Sequence, residues 1–306
     1  KRFPLGTFIN LTGMTIGIGM FLLIVIHLGS EMGIHKNNPR KDDIVRIANG
    51  KEINGWKGTP AILGEMLQEN LPEVEAFVRF DHPRKPYTIK IDNEPKKLGK
   101  VGYADSTLFK IFPQRFLVGD PLSCLDQPYS MVLTESNAYR LFGRTDLVGE
   151  TVLVDNKHNF RIMGIVEDPN NQTHLDADAY ISFHSMPLVF ENPELFECMG
   201  CFNYDCFLLL NPNLDHEKAE KKINDYIHEY GKQYSISNLI ETDFLLEGLD
   251  EVYFRKEAAP SYRKGNKTQL SILSAVGFLI LLMVLINYVN LSNAQSNSSI
   301  HELAIR

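Results

Sequence analysis

The sequence predicts an α+β protein in which two transmembrane helices flank one soluble domain. The domain combines an α/β lobe of βαβ type with an inserted β-rich lobe. Three observations predict this. Leu270–Leu291 (LSILSAVGFLILLMVLINYVNL) carries no charged residue. At about 1.5 Å per residue it is long enough for the ~30 Å hydrocarbon core of a bilayer. Phe8–Leu28 (FINLTGMTIGIGMFLLIVIHL) is likewise uncharged, and a stretch this long without charge is foreign to soluble cores. Between the two spans, strand–helix–strand patterns stand at both ends and a mostly β unit in the middle.

The 306 residues carry a formal charge of −7, and the mean hydropathy is only −0.16, so most of the chain outside the spans is soluble. The acidic balance argues against nucleic acid or an anionic membrane surface as partner. The boundaries read as 1–30 for the first helix, 31–267 for the domain and 268–306 for the second helix and its extension. Within the domain, 31–120 with 203–260 make the α/β lobe and 121–202 the insertion. The apolar run after Lys1 and Arg2 is too long for a signal-peptide core and no small-residue cleavage site follows, so it reads as an anchor. Lys1 in place of Met, and an end soon after the second span, read as a fragment of a longer chain. Lys36, Arg40 and Lys41 after the first span and Arg263, Lys264 and Lys267 before the second would by themselves place the domain in the cytoplasm.

The first span contains Gly13 and Gly17 in G-x-x-x-G spacing, and the second a small pair, Ser271 and Ala275. Both let a second helix approach closely in lipid. Asp42–Asn49 reads as a strand. Thr59-Pro60 opens a helix, with Thr as cap and Pro at the first position, that Pro72 ends. Val74–Phe80, Tyr87–Asp92 and Leu98–Ala104 read as strands, and Asp105 as the cap of a short helix. Ser130–Leu133 is a strand, Thr134 caps the next helix and Gly143 closes it. Thr151–Val154 and Phe160–Val166 form a hairpin around Asp155-Asn156-Lys157. Ala179–Phe183 is a strand and Met186–Gly200 loop. Asp205–Leu210 is a strand with a continuous apolar run. Asp215 caps a helix whose apolar face is Ala219, Ile223, Ile227 and Tyr230, ended by Gly231, and Phe244–Leu249 is a strand.

No catalytic constellation stands out. Gly50 and Gly55 have phosphate-loop spacing, but Trp56 and Lys57 follow where Lys and Ser/Thr are required. Gly265-Asn-Lys-Thr268 lacks the upstream glycine. No nucleotide site, metal site or other cofactor is expected. His174, Asp176 and Asp178 alternate along one stretch and read as a turn and strand edge in water. Asp42-Asp43 and Glu247, Asp250 and Glu251 read as solvated surface. Asn171 heads an Asn-x-Thr triplet. Cys198 and Cys201 form a C-x-x-C without the second ligand pair a zinc site needs. A disulfide from Cys198 or Cys201 to Cys206, or free thiols in an apolar cluster, both fit the spacing; Cys124 stands apart.

Several stretches together resemble a known family. These are LPEVEAFVRF (71–80), GYADSTLFKIFPQRFLVGDP (102–121), MVLTESNAYRLFGRTDLVGETV (131–152), FRIMGIVEDPNNQTHLDADAYISF (160–183), LLEGLDEVYF (245–254) and the second span with INYVNLSNAQSNSSIHELAIR. In that order they resemble the permease subunits of MacB/FtsX-type ABC transporters, in the style of Bacteroidetes. The resemblance implies an inner-membrane protein with both ends of this chain in the cytoplasm and a MacB-like periplasmic core domain, its porter lobe interrupted by a β-rich lobe. It thereby overrides the charge balance. It also implies further helices, a partner ATPase subunit that performs the hydrolysis, a second permease copy in a dimer, and a periplasmic adaptor or substrate protein. The chain itself is then not an enzyme, and efflux or mechanotransmission is its expected work. Glu302 and Arg306 match the family's E-x-x-x-R pattern, which implies coupling to the ATPase. The basic residues usual just after the second span are replaced here by Gln295, Asn297, Ser298, Ser299 and His301. The alternative reading is a two-span receptor whose outer α/β domain binds a small ligand.

Overall fold

The computed structural model describes residues 5–50, 58–81, 86–91, 94–169, 173–175, 177–255 and 263–304. The chain divides into two compact units, Lys1–Ile34 with Gly265–Arg306, and His35–Lys264. The first unit consists of α1 (Leu5–Met32) and α9 (Lys267–Ala304). The second begins with β1 (Ile44–Asn49), α2 (Leu63–Asn70), β2 (Val74–Asp81) and the hairpin β3 (Thr88–Ile91) and β4 (Glu94–Lys97). Then come β5 (Val101–Ala104), α3 (Leu108–Ile111), β6 (Phe116–Gly119), β7 (Ser130–Thr134), α4 (Glu135–Phe142), β8 (Thr151–Val154), β9 (His158–Val166) and β10 (Ala179–Ser182). It ends with α5 (Met186–Val189), β11 (Asp205–Leu210), α6 (His216–Gln233), α7 (Ser237–Ile240), β12 (Phe244–Gly248) and α8 (Leu249–Phe254).

Among the described residues these strands form one mixed sheet in the order β12-β1-β11-β2-β5-β10-β7-β9-β8-β3-β4, with β6 on β9. In one half, β1 pairs antiparallel with both β11 and β12, and β11 with β2. Here the period of two sends alternate side chains to opposite faces. Val45, Ile47, Cys206, Leu208 and Leu210 join the apolar sides of α2 and α6 in one core. Ile44, Phe207 and Leu209 face another with α3 and α8. Both faces are covered, which is why β11 reads as a continuous apolar run. In the other half, β7 and β9 run parallel, and a third core gathers Met131, Leu133, Phe160, Ile162 and Ile165 against Ala138 and Leu141 of α4.

The halves meet at a waist between β2 and β5. Among the described residues, β2 pairs with β5 through Phe80 with Ala104 and Asp81 with Tyr103. Gly102 lies directly against the Phe80 ring, where a Cβ would collide with the ring carbons. An ion pair locks the same place. Arg79 Nη2 donates to Asp105 Oδ1 at 2.7 Å and Nε to Oδ2 at 2.9 Å, while the Arg79 backbone N–H donates to Oδ2 at 2.7 Å. Its guanidinium lies 4.3 Å from the ring centre of Phe183 and 5.3 Å from that of Phe196.

Several expected boundaries move. Asp105 is the partner of Arg79 and not a side-chain cap; α3 begins at Leu108 after Thr107. Thr59 bridges Tyr204, its N–H donating to the Tyr204 carbonyl at 2.7 Å, and α2 begins only at Leu63. Thr134 does stand at the start of α4, but its hydroxyl donates to Asp178 O at 3.2 Å instead of capping. Asp215 accepts from the Glu217 and Lys218 N–H groups as a capping side chain should. α6 runs past Gly231 to Gln233, because that glycine is the flat spot where Leu239 and Ile240 of α7 pack. β4 and β6 and the helical turn of α5 add elements where loop was expected. The β3–β4 hairpin, drawn from residues before 121, joins the β7–β9 half through β8.

Removing Asp105 strands a buried guanidinium. Asp105→Ala is expected to destabilise the domain by roughly 3–5 kcal/mol. Urea unfolding of the variant beside the parent measures it, and a loss under about 1 kcal/mol would show the pair to be dispensable.

Candidate functional site: the membrane helices and the domain root

In the first unit, α1 and α9 run antiparallel. The order of close approaches shows it: a Cβ at Gly13 would lie 3.8 Å from Asn287 Nδ2, one at Gly17 would lie 2.5 Å from Val284 Cγ2, and Gly277 faces Ile24. The less exposed positions are Asn10, Met14, Gly17, Phe21, Ile24 and Leu28 on one helix. On the other they are Leu270, Leu273, Gly277, Ile280, Val284, Asn287 and Leu291, with Leu281 beside Ile280. Both rows alternate steps of three and four, the spacing of a left-handed two-helix seam. Outside that seam the apolar surface is bare. Only 6% of the most apolar window of α1 and 11% of that of α9 is buried, as suits helices whose remaining faces meet lipid.

Of the residues singled out for helix packing, Gly17 lies on the seam and Gly13 at its edge. Ser271 and Ala275 lie on the exposed side of α9. Gly277 does for α9 what Gly17 does for α1. It was missed because it has no small partner four residues away. Glu302 falls within α9, and Arg306 lies outside the described residues.

In the second unit, the segment that follows the first helix is tied to the domain. Asn38 Nδ2 donates to Ile111 O at 2.8 Å, and Arg40 bonds to Asp43, Glu75 and the Leu210 carbonyl. His35, held at a positive φ of 61°, is fully buried, and its Nε2 lies 2.9 Å from Nδ1 of His174. One ring must donate and the other accept, so the pair fits neutral imidazoles. Phe112 and Phe207 surround them, with ring centres 5.2 to 5.9 Å apart. The carbonyl of His174 accepts from the N–H of Arg263, which leads toward the second helix, at 3.0 Å. One buried knot thus holds the strand entering the domain and the strand leaving it. His174, read as a turn in water, is instead buried; Asp178 accepts from the Lys100 N–H at 2.8 Å, and Asp176 lies outside the described residues. Among the described residues no three His, Cys, Asp or Glu side chains gather for a metal. Gly55, Trp56 and Lys57 and the Asn171 side of its triplet lie outside the described residues. In Gly265-Asn-Lys-Thr268, Asn266 accepts from the Gln269 N–H at 3.1 Å and caps α9.

The acids read as solvated surface divide. Asp42 is surface, but Glu247 bonds Arg46 and Arg255 inside the sheet. The cysteines also differ from the spacing argument. Cys198 and Cys201 are bonded to each other, and Cys206 is a free, fully buried thiol on β11. It faces α2 and Phe77 from the middle of the sheet, where no other cysteine reaches it, and burial pushes its thiol far above the usual range.

Fold and site together define a membrane-anchored α+β domain that is held by both ends to a helix pair. The model of the MacB-like periplasmic core domain matches residues 7–226, and the chain belongs to that family. It is thus the periplasmic-domain part of an ABC-type permease, a membrane protein with its domain outside the cytoplasm. Two solved structures share the fold. One is a domain of a putative permease protein from Porphyromonas gingivalis, at 20% identity and TM-score 0.57, covering 72% of this chain and 94% of that one. The other is the periplasmic region of MacB from Actinobacillus actinomycetemcomitans, at 14% identity and TM-score 0.52, covering 71% and 94%. No curated protein matches the chain.

Burial, and secondarily Lys41, lowers the pKa of His35 to about 4. Between pH 6.5 and 4 the unfolded chain takes up a proton that the folded one refuses. Stability from this group is therefore complete above pH 6.5 and falls as the pH drops toward 4, by about 3 kcal/mol in all. His35→Phe should flatten that part of the profile. Denaturant midpoints of parent and variant between pH 7.5 and 4.5 test this; parallel profiles would refute the assignment.

Proposed function

We propose that this chain is the permease subunit of a MacB/FtsX-type ABC transporter in a bacterial inner membrane. It couples ATP hydrolysis by a partner ATPase to export or to mechanical work in the periplasm. The observation that carries this reading is the extent of the family match, which runs unbroken from the first span into the domain. Helix and domain match as one unit, as a transmission device requires.

In this reading the chain catalyses nothing itself. Motion begins at the cytoplasmic end of α9, where Glu302 and Arg306 meet the ATPase. It passes along the α1–α9 pair, whose bare faces receive further helices and a second permease copy. Gly13, Ser271 and Ala275 supply small contacts there. The His35–His174 knot and the Asn38 and Arg40 anchors pass the motion to the β12-β1-β11-β2 half of the sheet, the porter lobe. The β10-β7-β9-β8 half, the inserted lobe, presents an outer surface to an adaptor or substrate protein. The packing at the root supports transmission, because a slack tether would dissipate movement.

Two outcomes are expected. A single cysteine at exposed Lys221 should react with a membrane-impermeant maleimide as soon as the outer membrane is opened; the native thiols are buried or bonded and leave little background. Labelling that waits for inner-membrane rupture would reverse the topology. Inserting a Gly/Ser linker of roughly ten residues before Leu270 should leave folding and insertion intact, since such insertions cost little closure entropy. It should abolish transport-linked function while sparing the partner's ATPase. Export at the parent's rate in the same reconstituted complex would end the transmission reading.

A further inference from the structure

We propose that the β8–β9 half of the domain carries a binding site for a small zwitterionic aromatic compound, an aromatic amino acid or short aromatic peptide in size and chemistry. The site is a cavity of about 530 Å³, within the range of small-molecule pockets. Tyr87, Phe160, Met186 and Tyr204 are buried in its walls, and Phe190 stands at its mouth, half exposed. Aromatic rings around a gap of this size favour a flat apolar body, which they meet by edge-to-face and offset contacts. Met186 supplies an adaptable surface beside them.

The mouth has the complementary polarity. Lys157 and Asp155 come from the tight β8–β9 turn, whose residues Asp155 and Asn156 have positive φ of 50° and 55°. Asp81 adds a second carboxylate to the lining, and Glu191, next to the wall residue Phe190, lies 3.9 Å from Lys157 Nζ. Cationic and anionic groups thus stand side by side, mostly in solvent, so a head with one charge of each sign finds a partner for both. A purely cationic or purely anionic head would meet repulsion from one of them.

The cavity is built rather than fortuitous. Its far wall is the segment 186–204, and three independent braces hold it. The Cys198–Cys201 disulfide closes the stretch between the wall residues Leu195 and Tyr204. Phe196 stacks on Phe183 at 4.8 Å and 17°, under the Arg79 guanidinium. Tyr204 exchanges backbone hydrogen bonds with Thr59 at 2.7 and 3.2 Å. Neither the helix pair nor the domain root uses any of these residues. The inference goes beyond the transport reading and holds whether the compound is cargo or regulator.

The test uses the full chain in lipid nanodiscs with p-benzoyl-L-phenylalanine, a photoreactive zwitterionic aromatic probe. After irradiation, labelled peptides are mapped by mass spectrometry, with the dipeptide Phe-Phe as competitor. Label is expected within 186–204 or 154–160 and should be displaced by the competitor. Phe190→Ala, at a half-exposed position that folding tolerates, should weaken labelling about tenfold with an unchanged thermal melt. The double variant Cys198→Ser and Cys201→Ser should also weaken it by loosening the wall. Label confined to α1 and α9, label that Phe-Phe does not displace, or labelling indifferent to Phe190→Ala would each overturn the site.

Discussion

Arg46 sets the terms for the whole domain. It lies in the middle of β1, its side chain 4% exposed, and donates to Asp205 of β11 at 3.0 Å and to Glu247 of β12 at 2.6 Å. Glu247 in turn bonds Arg255 just after α8. A buried guanidinium with one acid removed would be severely unfavourable, so the three strands must assemble with their charges matched. Those strands are the first, the last and the next-to-last of the domain. The clamp therefore fixes the entrance and exit of the chain on neighbouring strands. A domain that hangs from two membrane helices needs that closure, and it is obtained inside the sheet rather than by a linker.

The second half of the sheet joins this clamp through β2 and β5. Among the described residues they share two register pairs, and the Arg79–Asp105 ion pair with its aromatic stack reinforces them. The same arginine holds the 196 region in place, so one side chain serves both the junction of the halves and the wall of the cavity. Gly102 permits the arrangement, because only a residue without Cβ lets the Phe80 ring lie on β5.

Much of this was legible in the sequence, and the failures have physical causes. The spans were plain because uncharged runs of that length serve few other purposes. β11 was plain because a strand covered on both faces is apolar at every position. The hairpin at Asp155-Asn156 was plain because those residues accept positive φ. Asp105 and Thr59 were misread as caps for one reason: a short polar side chain before an apolar run is the signal for a cap, and it is equally the means of fixing a distant strand. Glu247 looked solvated because Arg46, its partner on the neighbouring strand, stands about two hundred positions away in sequence. The seam glycine Gly277 and the His35–His174 knot left no local pattern at all, since each depends on a residue more than a hundred positions distant. The site was thus less legible than the fold, as expected when local periodicity builds elements and only tertiary meeting builds sites.

The distribution of buried charge says where this domain can yield. In the β12-β1-β11-β2 half the ladders are long, and an ion cluster at their centre resists sliding of any strand past its neighbour, because a shift of one residue would turn Arg46 to the opposite, apolar face. That half can move only as a body. At the waist the lock among the described residues is the buried Arg79–Asp105 pair, lined by the rings of Phe183 and Phe196. The segment 186–204 rests on that same guanidinium through Phe196, so one side chain ties it to the junction.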